Sequence, residues 1–158
     1  MYVPEIRFCG AEDLPALLEL NATDLYPWPD AVIVEDLRAG SGVEVVYIGA
    51  FATTAEARLL GYAALGRESR AGLIMGLLVR AEHRRLGIAT QLLSVAGDCA
   101  AYMGLDRLRL RVRRSNAPAL ALYERMSFTR EGVSKGYYSD GEDAIVMSAR
   151  SPLPGTGR

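Results

Sequence analysis

Cysteine is scarce in this chain of 158 residues: there are two, Cys9 and Cys99. Two cysteines 90 positions apart make neither a disulfide framework nor a metal-ligand cluster, and two free buried thiols are expected. Histidine is scarcer still, with His83 alone, so a histidine-rich metal site is excluded. No apolar run reaches the roughly 18 residues of a membrane span. The first residues, Met1-Tyr2-Val3-Pro4-Glu5, lack the basic and apolar regions of a secretory signal, and a reducing cytoplasm is the expected location. There is little excess of charge either. A net charge of -1 gives no bulk attraction to nucleic acid or to an anionic membrane, and neither is expected as a partner.

What is present is ordinary for a globular chain: half of the residues are hydrophobic and 23% are charged, enough for one domain with a single core. That domain is expected over residues 1–150, with Ser151–Arg158 as a disordered tail that has little to bury. Hydrophobic periods of two and of about 3.6 alternate along the domain. Strands are predicted at Val3–Phe8, Val43–Ala52, Leu59–Gly66, Ala71–Val79, Leu108–Val112, Phe128–Val133 and Ala144–Ala149. Helices are predicted at Asp13–Leu20, Ala31–Ala39, Ile88–Met103 and Ala117–Met126. Tyr26-Pro27-Trp28-Pro29 cannot be a regular helix. Ala71–Val79 is apolar on both faces and so is expected at the centre of the sheet. In the third helix Ile88, Leu92, Val95, Cys99 and Met103 are expected to form the buried face, with Gly104 as its stop. The fold class is α/β: one domain with a mixed, mostly antiparallel central sheet of about seven strands and about four helices.

Two segments carry chemistry. The first runs Leu77-Leu78-Val79-Arg80-Ala81-Glu82-His83-Arg84-Arg85-Leu86-Gly87-Ile88-Ala89. An apolar strand ends, a polar turn follows, and a helix starts at Gly87 and Ala89, which leave no bulk beside the backbone. That suits a pyrophosphate held by main-chain N–H groups at the positive end of a helix. The second is Asn116-Ala117-Pro118-Ala119-Leu120-Ala121-Leu122-Tyr123-Glu124-Arg125-Met126-Ser127-Phe128. Asn116 is a good helix start and Pro118 fits the first turn. Without the first segment, it would read as an ordinary amphipathic helix with Tyr123 in the core.

Together the segments resemble the two signatures of the GNAT N-acetyltransferases, Gln/Arg-x-x-Gly-x-Gly/Ala and Asn-x-x-Ala-x-x-Leu-Tyr-x-x-x-Gly-Phe, and the element order is similar over residues 3–149. The run Val112–Asn116, with Tyr137-Tyr138 and Glu142-Asp143-Ala144, looks like the RimI-type branch, which acetylates protein N-termini such as that of a ribosomal protein. The resemblance implies acetyl-CoA as co-substrate, no metal, and transfer of an acetyl group to a primary amine. Arg84, Arg85, Leu86, Gly87, Ile88 and Ala89 would take the pyrophosphate, with the Thr90 hydroxyl as an extra donor. Backbone groups of Leu77, Leu78 and Val79 would hold the pantetheine arm and the thioester oxygen. Asn116 would hold the same arm through its amide. Tyr123 would bind beside the coenzyme and protonate the leaving thiolate, a task a phenol suits better than a carboxylate does.

Two positions depart from the family. Ser127 stands where the signature has glycine; if that residue needs a positive φ, serine is strained there by roughly 1 kcal/mol. Arg111 occupies the strand position, twelve residues before the tyrosine, where RimI-type enzymes resemble one another in having Glu or His as base. Arginine cannot serve as one. His83 reads as an exposed loop residue, and Glu142 and Asp143 as carboxylates that could relay a proton through water. Arg107, Arg109, Arg111 and Arg113 alternate strictly and face one side of their strand. This is either a solvated face or, at Arg111, a contact to the acceptor. In the second case the guanidinium favours an acceptor carboxylate and repels a protonated amine. Tyr138 and Glu142 complete the expected acceptor set. A protein N-terminus is the leading acceptor, a small-molecule amine or amino acid the alternative. A non-catalytic acyl-CoA-binding protein is the reading from another class.

Overall fold

The computed structural model describes residues 2–38 and 44–154, and every element below lies within them. The chain runs β1 (Glu5–Phe8), α1 (Leu14–Asn21), α2 (Asp30–Leu37), β2 (Val46–Phe51), β3 (Leu59–Glu68), β4 (Ala71–Val79), α3 (Ile88–Tyr102), β5 (Arg107–Arg113), α4 (Ala117–Arg125), β6 (Thr129–Ser134) and β7 (Ala144–Arg150). Short 3-10 turns at Ala11–Asp13 and Ala81–His83 precede α1 and α3. The seven strands form one sheet in the order β1-β2-β3-β4-β5-β7-β6. β4 and β5 are parallel, with Gly72, Leu73 and Ile74 opposite Leu108, Arg109 and Leu110. β1 and β2, β2 and β3, β5 and β7, and β6 and β7 are antiparallel. The expected class, strand number and central position of β4 are all found. Ala39, Gly40 and Val43, expected to end the second helix and start the second strand, lie outside the described residues. No helix among the described residues is long and apolar enough to cross a membrane.

The residues cluster into two compact units: one reaches from the N-terminal side to Gly66 and adds Gly76–Leu93, the other joins Arg67–Met75 to the chain from Ser94 onward. The first has a core of Leu17, Leu20, Ile33, Tyr47, Phe51, Leu59, Tyr62, Ala64 and Leu78. Asn21, buried at the end of α1, pins the proline-rich segment: its Nδ2 donates to the Trp28 carbonyl (2.8 Å) and its Oδ1 accepts from the Trp28 amide (3.1 Å). Trp28 lies so close to Gly76 that a β-carbon there would meet the indole at 2.9 Å. The second unit buries Leu108, Leu110 and Val112 on one face of β5, with Leu120, Tyr123, Met126, Phe128, Ile145 and Met147.

Two expectations need correction. The buried face of α3 is Ile88, Leu92, Leu93, Ala96 and Ala100; Val95 and Cys99 are half-buried and Met103 is exposed. Two of these buried positions are small alanines, so the stripe of larger side chains misplaces the face. Gly104, at φ +80°, does end the helix: Gly104 N–H donates to Ala101 and Leu105 N–H to Ala100, closing a Schellman motif. The tail also differs over its described part. The Ser151 amide donates to Asp106 and its hydroxyl to Leu105, and Leu153 is buried, touching the place where Gly97 lacks a side chain. Residues 155–158 lie outside the described residues. Cys9 and Cys99 are free and half-buried, and burial pushes the Cys9 thiol up to about 12.

Candidate active site

The turn before α3 is built for backbone donation. Arg84 is extended, Arg85 is left-handed at φ +62°, and Gly87 is left-handed at φ +84°. The Gly87 carbonyl accepts the Gln91 amide (3.1 Å), so α3 begins at Ile88. The amides of Ile88, Ala89 and Thr90 therefore have no acceptor inside the helix, and they stand at its positive end. A turn that presents successive main-chain N–H groups forms the kind of concavity that holds an anion. The donor set, main-chain amides beside two arginines, fits a pyrophosphate. Arg84 is partly committed, since its Nε donates to the Val79 carbonyl at the end of β4 (3.1 Å). The Leu86 carbonyl accepts from the Tyr2 amide, and Gln91 Nε2 donates to the Tyr2 and Gly87 carbonyls, so the N-terminal residues brace the turn. Arg80, buried after β4, donates to the Leu59 carbonyl (2.6 Å) and to Glu19 (2.7 Å). Leu78 and Val79 are buried and Leu77 half-buried. His83 is not the exposed residue expected: it is half-buried, packs edge-on to the Tyr2 ring, and its Nδ1 is buried without a partner among the described residues.

In the second unit, α4 is capped as its sequence requires. Asn116 Oδ1 accepts the Ala119 amide (3.2 Å), which leaves the side-chain NH₂ free to donate. Tyr123 is buried on the inner face of α4, its ring 5.7 Å from that of Phe128. Burial, and then the neighbouring Tyr138, push its phenol well above the ordinary tyrosine value, so it stays protonated. Ser127 does adopt the left-handed conformation, at φ +72°. Its amide donates to Glu124 and that of Phe128 to Tyr123, so a serine occupies the Schellman position that favours glycine.

All four arginines of β5 share a face, as expected, but that face is paired and not merely solvated. Arg111 makes a two-pronged contact with Glu68 (3.1 and 3.3 Å), and its guanidinium lies 5.4 Å from the Tyr137 ring. Arg109 bonds Glu68 (3.4 Å) and Glu131 (2.9 Å). Arg113 bonds Asp140 (2.9 Å) and Glu142 (3.0 Å) and lies over the Tyr138 ring. Arg107 bonds the Ser148 hydroxyl (2.6 Å). The four arginines thus face four carboxylates, Glu68, Glu131, Asp140 and Glu142, and the repulsion of a protonated amine expected from Arg111 alone is cancelled.

Glu68, at the end of β3, was absent from the expected site. Arg111 holds its carboxyl below the usual glutamate range. Glu142 bridges Arg113 and the Ser115 amide (2.8 Å), which also holds its carboxyl low. Both oxygens of Glu142 are engaged, so it braces the start of α4 and is a poor proton acceptor. Asp143 likewise bonds Arg114 and the Gly136 amide. Among the described residues, no group of three or more His, Cys, Asp or Glu is placed to hold a metal.

Comparison with known proteins gives a consistent result. The sequence model of the acetyltransferase (GNAT) family matches residues 14–128. An N-alpha-acetyltransferase from Saccharolobus solfataricus is 45% identical over 84 residues, 50% of this chain and 48% of that one. A [ribosomal protein bS18]-alanine N-acetyltransferase from Escherichia coli is 29% identical over 140 residues, 86% of this chain and 90% of that one. The crystal structure of the ribosomal-protein-S18-alanine N-acetyltransferase from Escherichia coli superposes with a TM-score of 0.78 at 25% identity, covering 99% of both chains. The chain spans about half the length of the archaeal N-alpha-acetyltransferases it matches.

Proposed function

Because the chain belongs to the acetyltransferase (GNAT) family, we propose that it transfers the acetyl group of acetyl-CoA to the α-amine of a protein N-terminus. In this reading the amides of Ile88, Ala89 and Thr90, with Arg84, Arg85 and the Thr90 hydroxyl, hold the pyrophosphate. Main-chain groups of Leu77, Leu78 and Val79 and the free NH₂ of Asn116 hold the pantetheine arm. The neutral amine attacks the thioester carbonyl carbon, a C–N bond forms, and the C–S bond breaks. The departing thiolate takes the proton of the Tyr123 hydroxyl, and the proton that the nitrogen sheds on becoming an amide restores the phenol, directly or through solvent. Burial raises the phenol; a thiolate expelled into the same dry surroundings is raised by the same cause, so donor and acceptor stay matched. The free thiols agree with a reducing, cytoplasmic setting.

The observation that carries the choice of acceptor is the paired state of the arginine face. Glu68 and Glu142 are both held below the usual range, so either is a poor acceptor for the proton of an α-ammonium of pKa about 8. An enzyme without a strong base acts best on an amine that is already neutral. At pH 7 about a tenth of α-amines are neutral, against fewer than about one in a thousand lysines. Arg111, Tyr138 and Glu142 would line the acceptor side, with Glu142 fixing the loop and Arg111 reading the residue after the amine.

The test is mass spectrometry of products after incubation with acetyl-CoA and three pools: free N-terminal peptides, N-blocked peptides containing lysine, and small-molecule amines. Acetylation confined to α-amines of peptides is expected. Acetylated lysine or small amines alone would overturn the acceptor class. Thermal stabilisation by acetyl-CoA with no product from any pool would favour a non-catalytic binder.

A further inference from the structure

The guanidinium of Arg111 is a planar fork that matches a carboxylate, and in this structure the carboxylate in it is the protein's own. Glu68 holds this place loosely. Its three bonds to arginine, at 3.1, 3.3 and 3.4 Å, are longer than the 2.9 Å contacts Arg109–Glu131 and Arg113–Asp140 on the same face. Charge-assisted N–H···O bonds are shortest at about 2.7–2.9 Å. Both partners can be reached by solvent: the side chains of Arg111 and Glu68 keep 23% and 33% of their exposure. Glu68 is also the last residue of β3, next to Ser69 at φ +58°, so its side chain stands at the edge of a tight turn.

Resting on the functional reading above, we propose that Glu68 is an internal placeholder for the acceptor, and that a peptide with a carboxylate in its second residue displaces it from Arg111. The exchange strands no charge. Glu68 keeps its contact to Arg109, which is itself anchored by Glu131. Arg111 trades one carboxylate for another, and the exposed Tyr137 ring flanks the place the newcomer takes. Acceptors with an uncharged second residue leave Glu68 where it is and bind to a neutral surface. The site thus accepts both classes, and Glu68 sets how strongly the acidic class is preferred.

The experiment is kcat/KM for three peptides that share a first residue and carry Glu, Ala or Lys second, each ratio taken within one protein. Wild type is expected to favour Glu over Ala by only a few-fold. Glu68→Gln removes the competing charge and should widen that ratio tenfold or more. Glu68→Asp, one methylene shorter, should fall between the two. Arg111→Gln frees Glu68 and should reverse the order, with Lys ahead of Glu. Acetyl-CoA affinity by calorimetry and melting temperature confirm that each variant is folded, and Glu68→Asp serves if Glu68→Gln is not. Peptide acetylation with the same ratios in wild type, Glu68→Gln and Glu68→Asp would overturn the placeholder alone. No acetylation of any peptide by the wild type would overturn the functional reading and the placeholder with it.

Discussion

Tyr123 serves the fold and the reaction with different atoms. Its carbonyl accepts the Phe128 and Met126 amides that close α4, and its ring packs beside Phe128. Neither role needs the hydroxyl. Tyr123→Phe should therefore leave the melting temperature and the acetyl-CoA affinity nearly unchanged while kcat falls about 10²-fold, the usual size of a general-acid effect. A kcat within about twofold of wild type would make the residue part of the core and nothing more. Four residues on, Ser127 pays for a left-handed backbone that a β-carbon resists. Ser127→Gly relieves that strain but frees the unfolded chain as well, so the net gain should be up to about 1 kcal/mol, a rise of roughly 2–4 °C in Tm. A lower Tm would show that the serine is not strained where it stands.

The turn from β4 into α3 shows which parts of an element can be read from sequence. Gly87 and Ala89 announced a helix start with no bulk beside the backbone, and the polar run followed by a clear helix announced main-chain donors there. The left-handed φ of Arg85 was invisible, because no residue type signals it. The alternation in β5 was legible to the residue, with Leu108, Leu110 and Val112 inward and the arginines outward. The partner of Arg111 was not: Glu68 lies 43 positions earlier, and only the pairing of strands brings them together. The face of α3 was misread because its fully buried positions include Ala96 and Ala100, which periodicity in large side chains cannot find. A prediction follows for the turn itself. Gly87→Glu places a β-carbon at φ +84° and a negative charge at the mouth of the anion cradle. A carboxylate at a helix N-terminus favours the helix, so the fold should survive while acetyl-CoA affinity falls by about 10²-fold or more. Gly87→Ala, with the strain but not the charge, should lose less. Unchanged calorimetric affinity in Gly87→Glu would remove the cradle from the coenzyme site.

At the scale of the whole molecule, the same pairings set the range of pH in which the chain stays folded. On the acid side the folded state holds several carboxyls below their ordinary values: Asp13 through Arg7, Glu68 through Arg111, and Glu131 through the hydrogen bond of the Ser148 hydroxyl. A carboxyl lowered on folding contributes stability that is complete above its unfolded pKa, near 4, and is lost as pH falls through the folded value. On the alkaline side the sign reverses. Burial raises the Cys9 thiol to about 12 and pushes the Tyr47, Tyr62 and Tyr123 phenols above their usual range. These groups contribute stability that is complete below the ordinary thiol and phenol values and is lost as pH climbs past them. The melting temperature should therefore be flat from about pH 5 to about pH 8.5 and fall on both sides. Asp13 offers the sharpest check on the acid arm. It is buried, takes two bonds from Arg7 (2.9 and 3.1 Å) and accepts the Gly10 amide (2.8 Å) at the entry to α1. Arg7 is partly open to water, which screens the pair, so Asp13→Asn should cost about 1–2 kcal/mol at neutral pH. The larger signature is in the slope. The variant takes up fewer protons on unfolding, so its stability should decline less steeply below pH 4 than that of the wild type. Parallel curves for the two proteins between pH 5 and pH 2.5 would mean that the Arg7–Asp13 pair carries none of the acid sensitivity.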